Sequence, residues 1–283
     1  MTECETTPPQ HHPVIAFIGG GNMARSLIGG LLARGTAATS IRAADPNSES
    51  RTGLAHDFGI RVDADNTAAA DGAAIWVLAV KPQVMATVCA SVRELALAQR
   101  PTIVSIAAGI TTAQIDAWLG GNQAVVRCMP NTPALLGAGA TGVFANAAVS
   151  AAARTQVMAL MAAVGISVAI ADETLMNAVT AVSGSGPAYV FLLAEAWQSA
   201  AQAQGLPAEA ARALVNQTLL GAARMLLETN DTASTLRQRV TSPGGTTHAA
   251  ISQLQRDGFD GLIERAIAAA TERGAELAAS SPV

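Results

Sequence analysis

From residue 14 to residue 170, short apolar runs and helix-spaced apolar positions take turns along the chain. Residues 14–18 form a β-rich run, and residues 23–33 place their apolar side chains at helical spacing. Residues 40–44 read as a second strand and 49–58 as a helix. Residues 74–79 are apolar without a break, as in a strand covered on both faces of a parallel sheet. A helix over 84–98 follows. Strands at 102–106 and 124–128 enclose a helix at 111–119, and strands at 141–146 and 166–170 flank an Ala-rich helix. Strands that alternate with helices predict an α/β fold with a doubly wound sheet.

The pattern changes near Asp172. Beyond it the spacing predicts only helices, over 175–182, 187–204, 208–228, 246–255 and 259–279. Gly205-Leu206-Pro207 and Ser242-Pro243-Gly244-Gly245 separate them. The expected division is a polar tail over 1–13, a first domain over 14–172 and a helical domain over 173–283. The late helices carry Ala, Leu and Val on several faces, which marks them for burial. A bundle packed on the first domain would bury some of this surface. An obligate dimer of interlocking helical domains buries more and is the expected arrangement.

Composition narrows the class. Half of the 283 residues are apolar but only 3% are aromatic, so the apolar content is largely Ala-rich helix. No unbroken apolar run is longer than 73–80, which falls far short of the ~20 residues of a membrane helix. The first thirteen residues, with two Glu, three Pro and two His, hold no apolar core of a signal peptide, so a cytoplasmic protein is expected. A net charge of −4 without a basic run argues against nucleic acid. Cys4, Cys89 and Cys128 form no paired motif, so neither disulfide nor metal is expected, and the latter two read as inert core thiols. Lys81 is the only lysine among 17 basic residues.

Gly19-Gly20-Gly21-Asn22-Met23-Ala24 follows the first strand and opens a helix, fitting G-x-G-x-x-A. Gly19 allows a tight turn, Gly21 admits a pyrophosphate to the backbone, and Ala24 lets helix and strand approach. The helix start, through Asn22 and Met23, offers N–H groups to phosphate. The motif in this setting indicates a Rossmann-type dinucleotide site. Asp45 ends the second strand, where a carboxylate accepts from ribose hydroxyls and repels a 2′-phosphate. Arg42, Asn47, Ser48 and Arg51 stand near enough in sequence to bind one, so NADPH and NADH both remain open. Ala79-Val80-Lys81-Pro82 follows a buried strand and should border the cofactor. Ser105-Ile106-Ala107-Ala108-Gly109 should lie near the nicotinamide, and Asn131, between Pro130 and Pro133, offers an amide to the reacting region.

Two late segments run from small-residue loops into helices: Val182-Ser183-Gly184-Ser185-Gly186-Pro187-Ala188-Tyr189 and Ser242-Pro243-Gly244-Gly245-Thr246-Thr247. Either could be ordinary capping, or a carboxylate site built from N–H groups and hydroxyls. Together with residues 17–24, 78–83, 104–109 and 127–133, segments 183–190 and 240–247 resemble the pyrroline-5-carboxylate reductase family, in order and spacing. The resemblance implies an N-terminal Rossmann-type doubly wound sheet followed by an all-helical dimerisation domain. It implies reduction of 1-pyrroline-5-carboxylate to L-proline with NADPH or NADH. It also implies a homodimer that shares its active sites and gathers into larger rings, up to a decamer of dimers.

Carried over as cofactor residues are Gly19, Gly21, Asn22, Met23, Ala24, Asn66 on the ribose side, Ala79, Val80, Lys81 and Pro82, with Ala107, Ala108 and Gly109 near the nicotinamide. Asp45 is retained as a coenzyme residue. Ser242, Gly245, Thr246 and Thr247 would grip the substrate, helped by Asn131 and Ser185. Thr247 is the expected catalytic residue, its hydroxyl on the ring nitrogen. Asn177 stands where the family pattern suggests Asp, and Asn230 where some members carry an acid. Two other readings stand beside this one: a β-hydroxyacid-dehydrogenase-like enzyme, disfavoured because no lysine follows Lys81, and a non-catalytic coenzyme-binding regulator. His56 and His248 read as solvated helix residues.

Overall fold

The computed structural model describes residues 13–280; most of the polar segment 1–13, with Cys4, His11 and His12, lies outside the described residues. Eight strands form one sheet in the order β3-β2-β1-β4-β5-β6-β7-β8. They are β1 Ile15–Ile18, β2 Ile41–Ala44, β3 Arg61–Asp63, β4 Ile75–Leu78, β5 Thr102–Ser105, β6 Ala124–Met129, β7 Gly139–Ala145 and β8 Gly165–Ala169. The first six are parallel, giving the two βαβαβ halves of a Rossmann sheet with their switch point between β1 and β4. β7 runs antiparallel to β6, and β8 pairs in parallel with β7.

Side-chain alternation explains the two-sided core. Ile15 and Phe17 of β1 and Ile75 and Val77 of β4 enter one apolar cluster; Ala16, Ile18, Trp76 and Leu78 enter the other. Helices α1 Asn22–Ala33, α2 Ser48–Phe58 and α6 Ala151–Ala162 cover the first face through Leu27, Ile28, Leu54, Val157 and Met161. Between α2 and α6 come α3 Asn66–Ala70, α4 Met85–Gln99 and α5 Thr112–Trp118. These three cover the second face through Ala70, Met85, Cys89, Val92 and Ile115. Burial pushes the Cys89 thiol up to about 12 and raises that of Cys128 as well.

Local chemistry sets the helix starts. The Asn47 side chain accepts from the N–H groups of Glu49 and Ser50, and Thr111 and Gln114 form a capping box at α5. A longer-range clasp supports that same helix. Glu173 accepts from the backbone N–H (2.7 Å) and hydroxyl (2.6 Å) of Thr112. Buried Arg127, 4% exposed, reaches the same carboxylate at 3.4 Å.

The chain divides into two compact units, residues 13–184 with 270–280, and residues 185–269. The second unit is helical: α8 Gly186–Ala203, α9 Ala208–Glu228, α10 Ala233–Arg239, α11 Thr246–Arg256 and the first part of α12 Phe259–Ser280. α8 and α9 pack on each other, with Gln198 donating to Asn216. In the sheet unit, α7 Met176–Val179 continues into a wide π-turn over Thr180–Gly184, where a regular helix over 175–182 is expected from spacing. β3, α3 and α10 are also additions. Arg61-Val62-Asp63 is a short edge strand with no apolar run, and α10 is capped by Thr232 within a polar stretch.

Candidate active site

The glycine loop is built by contact as well as by conformation. Gly19 has φ +103°, and a Cβ there would lie 2.6 Å from the Ala79 carbonyl oxygen. The loop therefore runs directly against 79–80, and any side chain at 19 is excluded twice over. Gly20, an unrestricted position in the motif, is packed too: a Cβ would meet Leu54 Cδ1 and Ser50 Oγ, each at 2.7 Å. Gly21 has open space at its Cβ position and precedes α1 with no side-chain cap. The opening leaves the first N–H groups of α1, those of Asn22, Met23 and Ala24, available to an anion. Ala24 itself is fully buried against the sheet.

Asp45 is joined to this loop. Its Oδ2 accepts from the Gly20 N–H at 2.8 Å and its Oδ1 from the Asn47 N–H at 2.8 Å. Arg51 donates to the carbonyl oxygens of Asp45 (2.8 Å) and Pro46 (2.9 Å). Asn66 opens α3 just past β3.

Further along the carboxyl edge, Ala79 and Val80 are half-buried, Lys81 is exposed, and Pro82 begins a short turn. Ala107 is buried and its N–H donates to Ser105 Oγ. Ala108 is half-buried, and Gly109 packs toward Leu277 of α12. Asn131 serves the backbone at both ends of its amide: Nδ2 donates to the Ser183 carbonyl (3.0 Å), and Oδ1 accepts from Ala140 N–H (2.9 Å). It braces the turn that leads to Ser185. Asn177 packs beside Gly274 of α12.

In the helical unit, Ser242-Pro243-Gly244-Gly245 forms a tight turn closed by Gly245 N–H to the Ser242 carbonyl at 3.0 Å. Gly244 has φ +74°, which suits glycine. Gly245 caps α11 without a side chain, leaving the first-turn N–H groups beside the Thr246 and Thr247 hydroxyls. Thr247 is half-buried, and Ser242, Thr246 and His248 are exposed. A cavity of about 220 Å³ lies between α10 and α11, lined by Thr241, His248 and Ser252 among others. Ser185 precedes α8, whose first turn carries Pro187. His56 is exposed and hydrogen-bonded to Asp57, whose carboxyl that contact, with Arg25, holds below its usual range.

The chain is 54% identical to pyrroline-5-carboxylate reductase of Pseudomonas aeruginosa over 94% of its length and 97% of the relative's. It belongs to the pyrroline-5-carboxylate reductase family. The family's dimerisation region matches residues 173–277, and a region described as NADP oxidoreductase, coenzyme F420-dependent, matches residues 14–109. The solved pyrroline-5-carboxylate reductase of Coxiella burnetii, 42% identical, superposes with a TM-score of 0.91 over 94% of this chain and 98% of that one. A Plasmodium falciparum pyrroline carboxylate reductase solved with NADP bound is 26% identical, with a TM-score of 0.82 over 94% and 98% of the two chains. Family membership carries self-association and nicotinamide-coenzyme binding for this chain as well.

Sequence reasoning missed Gly20, Ser50 and the Glu173–Arg127 clasp. The triple glycine was the available signal for the first. Nothing local announces a carboxylate that caps a helix 61 residues away.

Proposed function

We propose that this chain is a pyrroline-5-carboxylate reductase, reducing 1-pyrroline-5-carboxylate to L-proline with a reduced nicotinamide dinucleotide. The observation that carries it is 54% identity across nearly the whole chain to a reductase of that name. The open N-terminus of α1 behind Gly21 and the uncapped N-terminus of α11 behind Gly245 agree with it. Among the described residues no helix is long and apolar enough to cross a membrane. The reading places the enzyme in the cytoplasm as a homodimer, with residues 14–172 binding coenzyme and 173–283 serving dimerisation and substrate.

The bound coenzyme supplies a hydride at the nicotinamide C4. The N–H groups of Asn22, Met23 and Ala24 at the start of α1 would hold its pyrophosphate over the Gly19–Gly21 turn, Asp45 and Asn66 would face its ribose side, and residues 79–82 and 107–109 would border it. Ser242, Gly245, Thr246 and Thr247, in the dimer those of a second copy, hold the substrate carboxylate on the N–H groups of α11. Thr247 Oγ1 hydrogen-bonds the ring nitrogen and orients it, while Asn131 holds the turn that presents Ser185. A protonated imine is already electrophilic, so positioning is the main contribution. The test follows the nicotinamide absorbance as the imine is added. Oxidation that depends on the imine supports the proposal; coenzyme binding without oxidation would favour the regulator instead.

A further inference from the structure

We infer that Glu173 is a positioning residue for hydride transfer: its single carboxylate fastens both ends of the segment that borders the nicotinamide. The inference deepens the reductase reading and rests on it.

The segment is residues 106–111. It leaves the carboxyl end of β5, where ligands lie in a Rossmann sheet, and runs into α5. Glu173 holds its far end, accepting from the Thr112 N–H at 2.7 Å and from the Thr112 hydroxyl at 2.6 Å. The near end is held through Arg127. That residue lies in register with Ser105 across β5 and β6, and its Nη1 reaches the same carboxylate at 3.4 Å. Ser105 Oγ in turn accepts from the Ala107 N–H at 3.3 Å. Between these anchors Ala107, Gly109 and Ile110 are buried, while Ile106 and Ala108 are half-buried.

Helix capping alone does not call for this carboxylate. Thr111 and Gln114 already cap α5 from within the helix itself. The charge has a second task, because Arg127 is only 4% exposed and a buried guanidinium needs an anion beside it. An amide at 173 would keep an acceptor for Thr112 but would leave that cation uncompensated. Glu173 is also held in place by its neighbour. Asp172 Oδ1 accepts from the Thr174 N–H at 2.9 Å and opens the turn that begins at Glu173. Hydride transfer depends steeply on the placement of the reacting atoms, so a segment fixed at both ends keeps the nicotinamide from drifting.

Full-length Glu173→Gln and Thr112→Val chains are compared with the unaltered chain. The first removes the charge at nearly constant shape. The second removes only the hydroxyl contact and leaves the ion pair, so it stands even if the first folds poorly. In Glu173→Gln kcat should fall roughly 10- to 100-fold and in Thr112→Val roughly 3- to 10-fold, with KM for the imine changed by no more than about threefold. Calorimetry gives a readout that needs no turnover. Reduced coenzyme should bind both variants more weakly by roughly threefold or more, whereas ADP-ribose, which lacks the nicotinamide, should bind them as it binds the unaltered chain. Retained kcat in either folded variant, or a loss of affinity that ADP-ribose shares in full, overturns the inference and leaves Glu173 a structural cap. Absence of turnover by the unaltered chain counts instead against the reductase reading, while the two affinities still decide the role of Glu173.

Discussion

The sheet unit and the helical unit handle apolar side chains in opposite ways. In the first, Phe17, Ile18, Trp76 and Leu78 are wholly buried, and the core on each face of the sheet is built from the unit's own helices. In the second, Phe191 is 62% exposed, Leu192 65% and Leu227 82%, with Ala211 and Val215 its only buried apolar residues among those described. The first sequence is written to fold around itself. The second holds apolar surface in reserve, which is the expected condition of a helical region whose core is completed by another copy of the chain. The family's dimerisation match over 173–277 covers this surface.

The contrast can be broken most severely at α8. Phe191→Glu combined with Leu192→Glu would bury unpaired charge in the assembly. Such a chain should run as a monomer on size exclusion with light scattering and lose roughly 100-fold or more of its activity. A fully active dimer would show that the exposed face is not the interface. The next largest effect lies in the sheet core. Trp76→Ala removes a wholly buried ring that also donates to the Ala73 carbonyl. It should cost about 3–5 kcal/mol in denaturant unfolding while the purified chain still self-associates.

Legibility in the sequence followed the same divide. Strands β1 and β4 were readable because a buried parallel strand is apolar at every position, as residues 74–79 are. The nucleotide loop was readable because its chemistry needs glycine at fixed spacing. β3 was not, since Arg61-Val62-Asp63 sits at the sheet edge, where pairing alone maintains a strand. The hold of Asp45 on Gly20 and of Glu173 on Thr112 were also hidden, because each joins residues far apart in sequence. The end of α12 groups with the sheet unit rather than with the helices before it. Its apolar periodicity shows that it packs, but names no partner.

Smaller effects sharpen the comparison. Thr247→Ala should lower kcat/KM for the imine by roughly 10- to 1000-fold with little change in melting temperature, since the residue sits at an uncapped helix start rather than in a core. Unchanged kinetics would remove Thr247 from the chemistry. The smallest effect concerns the thiols. Burial raises Cys89 from 9.0 to about 12, and Cys128 is raised too. Peptides containing either should stay unlabelled by a thiol-alkylating reagent in the native state and react once denaturant is added. The sign for stability follows: the contribution is intact below pH 9 and is lost as pH rises toward about 12, because only the unfolded thiol ionises in that window. Rapid native labelling at neutral pH would contradict the packing described for both.

The most direct measurement follows the hydrogen itself. The chain is incubated with 1-pyrroline-5-carboxylate and reduced coenzyme dideuterated at the nicotinamide C4, and the product is examined by mass spectrometry and NMR. Direct transfer should place one deuterium in L-proline, on the ring carbon beside nitrogen that does not bear the carboxylate. Proline without deuterium, or coenzyme left reduced while the imine persists, would contradict the account.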